Sequence, residues 1–310
     1  MAFTANDVKN LREATGVGMM DCKKALTETD GDMEKAIIYL REKGLAAAQK
    51  KAGRVTAEGV AYAAVFDGVG VVVEVNSETD FVAKNDMFTD FVKNVSEVVA
   101  KQAPADVDTL MTCKLPGSDK TVTEQQQEMV LVIGENISVR RFARYPDGFS
   151  VPYVHAGGKI GVIVNMVLEG ITDTDAVTEL GKDIAMQVAA LKPTFLDSSA
   201  VSAGELEAER EIQLAKALEE NKAKNIPEEK SLQIAENIVK GRISKFYEEF
   251  CLLNQPFVKE NKTTVEKHIK QVADSLGGKI TVTAFTRFEK GEGIEKRQDD
   301  FAAEVASLVK

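Results

Sequence analysis

Side chains able to do chemistry are few in this 310-residue chain, and their spacing excludes most of what they could do. His155 and His268 are its only histidines, so acid–base catalysis near neutral pH has two possible seats. Cys22, Cys113 and Cys251 stand far apart with no Cys-x-x-Cys pair, which excludes zinc fingers and dithiol redox centres. They read instead as small buried hydrophobes in a reducing compartment. Gly277-Gly278-Lys279 is followed by Ile280 where a phosphate-binding loop needs Ser or Thr, and Ala273 stands where its first glycine belongs. A calcium loop built on Asp30-Gly31-Asp32 would begin at Leu26 and end at Ile37, two positions that require oxygen ligands. No pair of acids is marked out by an apolar surround. Neither a metal, a cofactor nor an enzymatic reaction is expected.

One stretch is unusual. Glu78-Thr79-Asp80-Phe81-Val82-Ala83-Lys84-Asn85 follows a nearly pure valine run and sets a large aromatic beside a carboxylate. Two fates are open to it. Phe81 packs into its own core while Asp80 caps the next helix, or the pair is held out for something else. A comparable stretch later in the chain, Glu169-Gly170-Ile171-Thr172-Asp173, has no aromatic.

The elements that must position these residues follow from pattern. With 49 acidic residues against 39 Lys and Arg, the net charge is −10, which disfavours a protein that grips nucleic-acid backbones. The length suits roughly two domains of about 150 residues each. No apolar run nears the ~18 residues of a membrane span, and Met1–Lys9 lacks a signal-peptide layout, so the cytoplasm is expected. Three short helices are expected first: Ala5–Ala14 capped by Thr4, Met19–Leu26, and Met33–Lys43 closed by Gly44. A linker, Leu45–Arg54, leads to strands at Gly59–Phe66 and Val69–Val75 joined by an Asp67-Gly68 turn. A helix is expected around Met87–Lys101, and a polar loop over Asp106–Lys120.

The body then repeats itself. Gly161-Val162-Ile163-Val164 echoes Gly70-Val71-Val72-Val73 and is followed by a helix around Ala176–Leu191. Ile137 to Tyr145 and Ile280 to Phe288 both read Ile-x-Val-x-x-Phe-x-Arg-aromatic. The second copy is longer by a charged helical hairpin, Glu205–Asn221 and Glu228–Phe250. Its seam is expected to pair Leu206, Ile212, Leu214, Ala215 and Leu218 with Leu232, Ala235, Ile238, Val239 and Phe246. The fold class is therefore α+β: a three-helix module, a duplicated antiparallel sheet-plus-helix core, and an inserted coiled-coil hairpin.

Several of these motifs resemble one family. The run Leu11-Arg12-Glu13-Ala14-Thr15-Gly16-Val17-Gly18-Met19-Met20-Asp21-Cys22-Lys23-Lys24-Ala25-Leu26 is similar to the opening signature of bacterial translation elongation factor Ts. Thr79 to Asn85 is similar to its second. Ile133-Gly134-Glu135-Asn136-Ile137, His155 with Gly157–Val162, Gln255-Pro256-Phe257-Val258 and Arg287-Phe288-Glu289 through Glu295-Lys296 match in order. The resemblance implies a guanine nucleotide exchange factor for the GTPase elongation factor Tu, bound in its GDP and nucleotide-free forms. It implies a ubiquitin-associated-like module and linker over 1–54, core subdomains over 55–150 and 151–290 with the arm at about 203–248, and a C-terminal module over 291–310. Partner contacts are implied at Arg12, Met19 and Met20, at Thr79, Asp80, Phe81 and Val82, and at His155 and Gly158. A homodimer or 2:2 complex through the core or arm is also compatible. The competing reading, from the residues alone, is an adaptor that binds a helical partner through its N-terminal module.

Overall fold

The computed structural model describes residues 3–295, so the final helix expected over Asp299–Leu308 lies outside the described residues. The architecture is α+β. Thr4 caps the first helix, α1 (Ala5–Thr15), through a reciprocal box: its Oγ1 accepts from the Asp7 amide at 3.3 Å, and the Asp7 carboxylate accepts from the Thr4 amide at 2.7 Å. Gly16 ends it in the left-handed conformation that glycine adopts at little cost. Helices α2 (Met19–Glu28) and α3 (Met33–Lys51) complete a small core of Val8, Leu11, Val17, Cys22, Ala25, Leu26, Ala36 and Leu40. Helix α3 does not stop at Gly44, as expected, but absorbs most of the linker. Gly44 is buried where α3 crosses the helix over Val122–Ile133, and a Cβ there would sit 3.2 Å from the Gln127 carbonyl oxygen. This glycine serves close helix packing and not helix termination.

Strands β1 (Glu58–Phe66) and β2 (Val69–Ser77) form the expected hairpin, with Asp67 and Gly68 both at positive φ. A one-turn helix, α4 (Asp80–Ala83), and a long one, α5 (Asp86–Gln102), follow. Next come α6 (Val107–Thr112), α7 (Val122–Ile133) and β3 (Ile137–Tyr145). The stretch expected as a loop over 106–120 thus contains a short helix, started by Asp106, whose carboxylate accepts from the Thr109 amide at 2.7 Å. The sheet is antiparallel in the order β1-β2-β3. Val71, Val73 and Val75 alternate onto the face covered by α5, where Phe88, Phe91, Val92, Val95 and Val99 recur at helical spacing.

The opposite face of β2 carries Glu74, fully buried. Its carboxylate accepts from Arg140 Nη1 at 2.9 Å, Arg141 Nε at 2.5 Å, Asn76 Nδ2 at 3.1 Å and the Gly291 amide at 2.8 Å. Two consecutive arginines reach one acid because the register pairs Glu74 with Arg141 and Val75 with Val139, leaving Arg140 as the extra residue of a bulge. Burial pushes the Glu74 pKa up, but the four donors outweigh it and hold the carboxylate below its ordinary value.

A second sheet is built in the order β4-β5-β8 from β4 (Phe149–His155), β5 (Ile160–Glu169) and β8 (Lys279–Glu289), the last strand among the described residues. Helix α8 (Thr174–Leu191) packs so closely on it that a Cβ at Gly181 would lie 2.5 Å from Val151 Cγ2. Helices α9 (Ala203–Ala223) and α10 (Glu228–Phe250) form the arm. Its seam is narrower than expected: Ala217, Asn221, Ala235, Val239 and Ile243 are buried, while Ile212 and Leu232 are exposed. Along the seam the two helices bury one thin stripe against each other, and small residues such as Ala217 and Ala235 let them approach. Strands β6 (Pro256–Phe257) and β7 (Glu260–Thr264) and helix α11 (Val265–Ser275) lead into β8 (Lys279–Glu289). By its contacts the described chain groups into two units, 3–146 with 154–161 and 288–295, and 147–153 with 162–287.

Candidate functional site

The stretch between β2 and α5 resolves the fate of Phe81. It is 81% exposed, the most exposed large hydrophobe among the described residues. It does not pack into its own core. Asp80 does not cap the next helix either; Asn85 does, its Oδ1 accepting from the Met87 amide at 2.9 Å. Asp80 opens α4 instead and pairs one turn on with Lys84 at 2.7 Å. That hydrogen bond and the charge of Lys84 lower the Asp80 pKa. Val82, on the other side of the turn, is buried in the first core.

A single turn of helix is too short to hold itself, because nucleation costs more than one backbone bond returns. Polar groups brace it from the start of β3. The Glu135 carboxylate accepts twice from Thr79, from its amide at 3.0 Å and from its Oγ1 at 2.7 Å. In return Glu78 Oε1 accepts from the Asn136 amide at 2.6 Å. Asn136 Nδ2 donates onward to the Arg54 carbonyl at 3.0 Å, and Ser77 Oγ donates to the Thr79 carbonyl at 2.9 Å. Because its hydroxyl is engaged by Glu135, Thr79 makes no side-chain cap to α4. Reading by spacing missed Glu78, Glu135 and Asn136 as site residues; the signal was there in the matched Ile133-to-Ile137 motif, to which no role had been attached.

The N-terminal module reaches the same side of this unit. The position a Cβ of Gly16 would occupy is 4.0 Å from Met87 Cε, at the start of α5. Arg12, Met19 and Met20 are exposed on α1 and α2, Met20 at 74%. Phe81, Met87, Met19 and Met20 are all exposed large hydrophobes. His155 is exposed at the end of β4. Gly158 is not: it is buried at φ 94°, and a Cβ there would fall 2.7 Å from Val60 Cγ1. Its contribution is to let the chain after His155 pass close to β1.

Among the described residues no cluster of three His, Cys, Asp or Glu is placed to hold a metal ion, and no helix is long and apolar enough to cross a membrane. Cys22 and Cys251 are buried, and burial raises the pKa of each thiol.

Comparison with known proteins decides what this arrangement belongs to. The family model described as elongation factor TS matches residues 78–292. Elongation factor Ts of Trichlorobacter lovleyi is 49% identical over 314 residues, covering 99% of this chain and 98% of that protein. The one from Clostridium perfringens strain SM101 is 48% identical over 310 residues, covering 99% of each. That of Syntrophotalea carbinolica is 46% identical over 312 residues, covering 100% of each. The chain belongs to the elongation factor Ts family. It is a bacterial-type translation elongation factor, and the stretch from Glu78 onward falls inside the part that the elongation factor Ts model matches. The N-terminal helices precede that part but lie within the span shared with the whole-length elongation factor Ts relatives.

Proposed function

We propose that this protein promotes release of GDP from the GTPase elongation factor Tu by protein–protein contact, with no covalent step. The observation that carries the reading is Phe81: 81% exposed, yet seated on a turn that is braced at its start and anchored by buried Val82. A folded chain has no internal use for a rigid, solvent-facing phenyl ring.

Asp80 and Phe81 enter the partner beside its nucleotide site. Bound GDP is held largely through its β-phosphate and a magnesium ion that demands near-ideal octahedral geometry, so a displacement of about an ångström between packed elements weakens it. Burying the phenyl ring stabilises the open partner by roughly 1.5–3 kcal/mol. By linkage, the factor by which this protein weakens nucleotide binding equals the factor by which nucleotide weakens its own. Arg12, Met19 and Met20 dock on the GTPase first, to both its GDP-bound and its nucleotide-free form. Thr79 and Val82 act in the contact by shaping the turn, and His155 supplies a second one, shaped by Gly158. The C-terminal module over 291–310 adds a further one. The first three helices are ubiquitin-associated-like, and the two sheets with their helices arose by duplication. Any homodimer or 2:2 assembly uses the core or the arm, and the protein works in the cytoplasm.

The test is release of fluorescent GDP from elongation factor Tu in the presence of the parent, Phe81→Ala and Asp80→Ala chains. Both variants are expected to slow release at least tenfold. Release as fast as with the parent removes the wedge. Full partner binding by the N-terminal helices alone, with no exchange from the body, would favour the adaptor reading.

A further inference from the structure

The exchange reading leaves a mechanical question: what does the one-turn helix push against when Phe81 enters a partner? Helix α4 has four residues and no side-chain cap of its own. Val82 anchors its far side in the core, and the Asp80–Lys84 pair is exposed and weak in water. Of the hydrogen bonds of Thr79, the one from Ser77 Oγ to its carbonyl is local, and the two that tie the leading end to a distant segment run to Glu135, 56 residues away in the chain.

We propose that Glu135 is the positioning residue of the exchange loop, acting through Thr79 to fix α4 before the partner arrives. The inference rests on the exchange reading. Both carboxylate oxygens are committed to the same residue, one to its amide at 3.0 Å and one to its hydroxyl at 2.7 Å, so Thr79 is held in translation and in rotation. The flanking bond from the Asn136 amide to Glu78, at 2.6 Å, ties the two segments at an adjacent point and prevents them from sliding. Glu135 itself is half-buried behind the loop, whereas Phe81 faces solvent. Without the clamp, the backbone of the loop would have to be ordered during insertion, at a cost in conformational entropy. That cost falls on the open state, where Phe81 is buried in the partner. It spares the first encounter, which the N-terminal module makes.

The prediction is therefore a split between rate and affinity. In stopped-flow release of fluorescent GDP from elongation factor Tu, titrated with the full-length chain, Glu135→Ala lowers the maximal rate about tenfold, the size of losing a charged hydrogen-bond anchor. The half-saturating concentration changes less than twofold. Glu135→Gln restores most of the rate, because an amide oxygen accepts the Thr79 N–H while the amide N–H donates to its hydroxyl. Amide hydrogen exchange of Glu135→Ala shows faster exchange at 79–84 and unchanged protection in β2 and α5.

A raised half-saturating concentration with an unchanged maximal rate overturns the assignment, as does Glu135→Gln being as slow as Glu135→Ala. If Phe81→Ala is slow while Glu135→Ala matches the parent, the positioning role fails and the exchange reading stands. If Phe81→Ala also matches the parent, the wedge itself fails. Should Glu135→Ala lose protection in β2 and α5, Thr79→Val carries the test: it replaces the hydroxyl with a methyl group of similar size, and a parental maximal rate overturns the role.

Discussion

The two sheets answer one architectural problem with different chemistry. Each has three strands with the second of its strands in the middle, and aligning Gly70 with Gly161 places Glu74 opposite Asn165. Aligning Ile137 with Ile280 places Arg140 opposite Thr283. The pairing is kept in both: Arg140 Nη1 donates to Glu74 at 2.9 Å, and Asn165 Nδ2 donates to Thr283 Oγ1 at 3.0 Å. In the first sheet the pair is ionic and is joined by Arg141 and the Gly291 amide; in the second it is neutral, with Ser150 Oγ on Asn165 Oδ1 at 2.8 Å. The connections that follow differ in the same sense. Four residues, 170–173, join β5 to α8, whose cap is Asp173. Eight residues, 78–85, join β2 to α5, and the added length holds the turn that carries Phe81. The half with the long loop is also the half whose central strand is pinned by charge.

The largest effect should come from unbalancing the ionic pair. Glu74→Ala leaves two half-buried arginines facing a void and is expected to cost about 3–5 kcal/mol, whereas Asn165→Ala costs about 1–3 kcal/mol. Urea denaturation of the two variants measures the gap, and equal losses would dissolve the contrast between the sheets.

Acid sharpens the same contrast. The Glu74 pKa is depressed on folding, so its contribution is fully present above the ordinary carboxylate value of 4.5 and is lost as pH falls through the lower, folded value. The urea midpoint of the parent should therefore drop on going below 4.5, and that of Glu74→Gln should drop less from a lower start. Parallel curves would mean that the acid sensitivity lies elsewhere.

Caps come next in size. Asp173 accepts from the Asp175 and Ala176 amides at 3.1 Å each, and Asn85 accepts from Met87 at 2.9 Å. Alanine at either position should cost about 1 kcal/mol by thermal melting. Asn85→Ala should in addition slow GDP release, because it frees the end of the exchange loop; Asp173→Ala should not.

The smallest stability effect belongs to the residue with the largest proposed functional one. Phe81→Ala is expected to change folding stability by less than about 0.5 kcal/mol, since an exposed ring loses almost no burial. The buried ring seven positions on, Phe88, should cost about 3–5 kcal/mol on the same substitution. A large loss of stability in Phe81→Ala would show that the ring is packed in solution after all.

Local chemistry made much of this legible in advance. The Thr4 box, the Asp67-Gly68 hairpin, the helix over Asp86–Gln102 and the two halves of the arm are set by residues within a few positions of one another. Gly44 misled because a glycine at a helix end and a glycine at a helix crossing look alike until the second helix is in place. The seam of the arm misled because several of its apolar residues had more than one face to choose from.

What the sequence determined by itself was therefore the first three helices, the β1–β2 hairpin, α5, α8, the two arm helices and the strands β3, β5 and β8, but not α4, α6, α7, α11, β4, β6 or β7. It also determined the lack of catalytic and phosphate-binding motifs and, through its signatures, the family. Periodicity, turn chemistry and short motifs act over a few residues and survive in one dimension. What only the tertiary structure decided was which side chains are committed and which are left over. Gly291 meets Glu74 across 217 positions and Thr79 meets Glu135 across 56. Hydrogen bonds of that span are chosen by packing, because burying a polar group leaves it no partner except those the fold delivers. Phe81 shows the converse: nothing in its spacing distinguished it from a core residue, and only the folded structure, in which Val82 takes the buried side of the turn, shows it facing solvent.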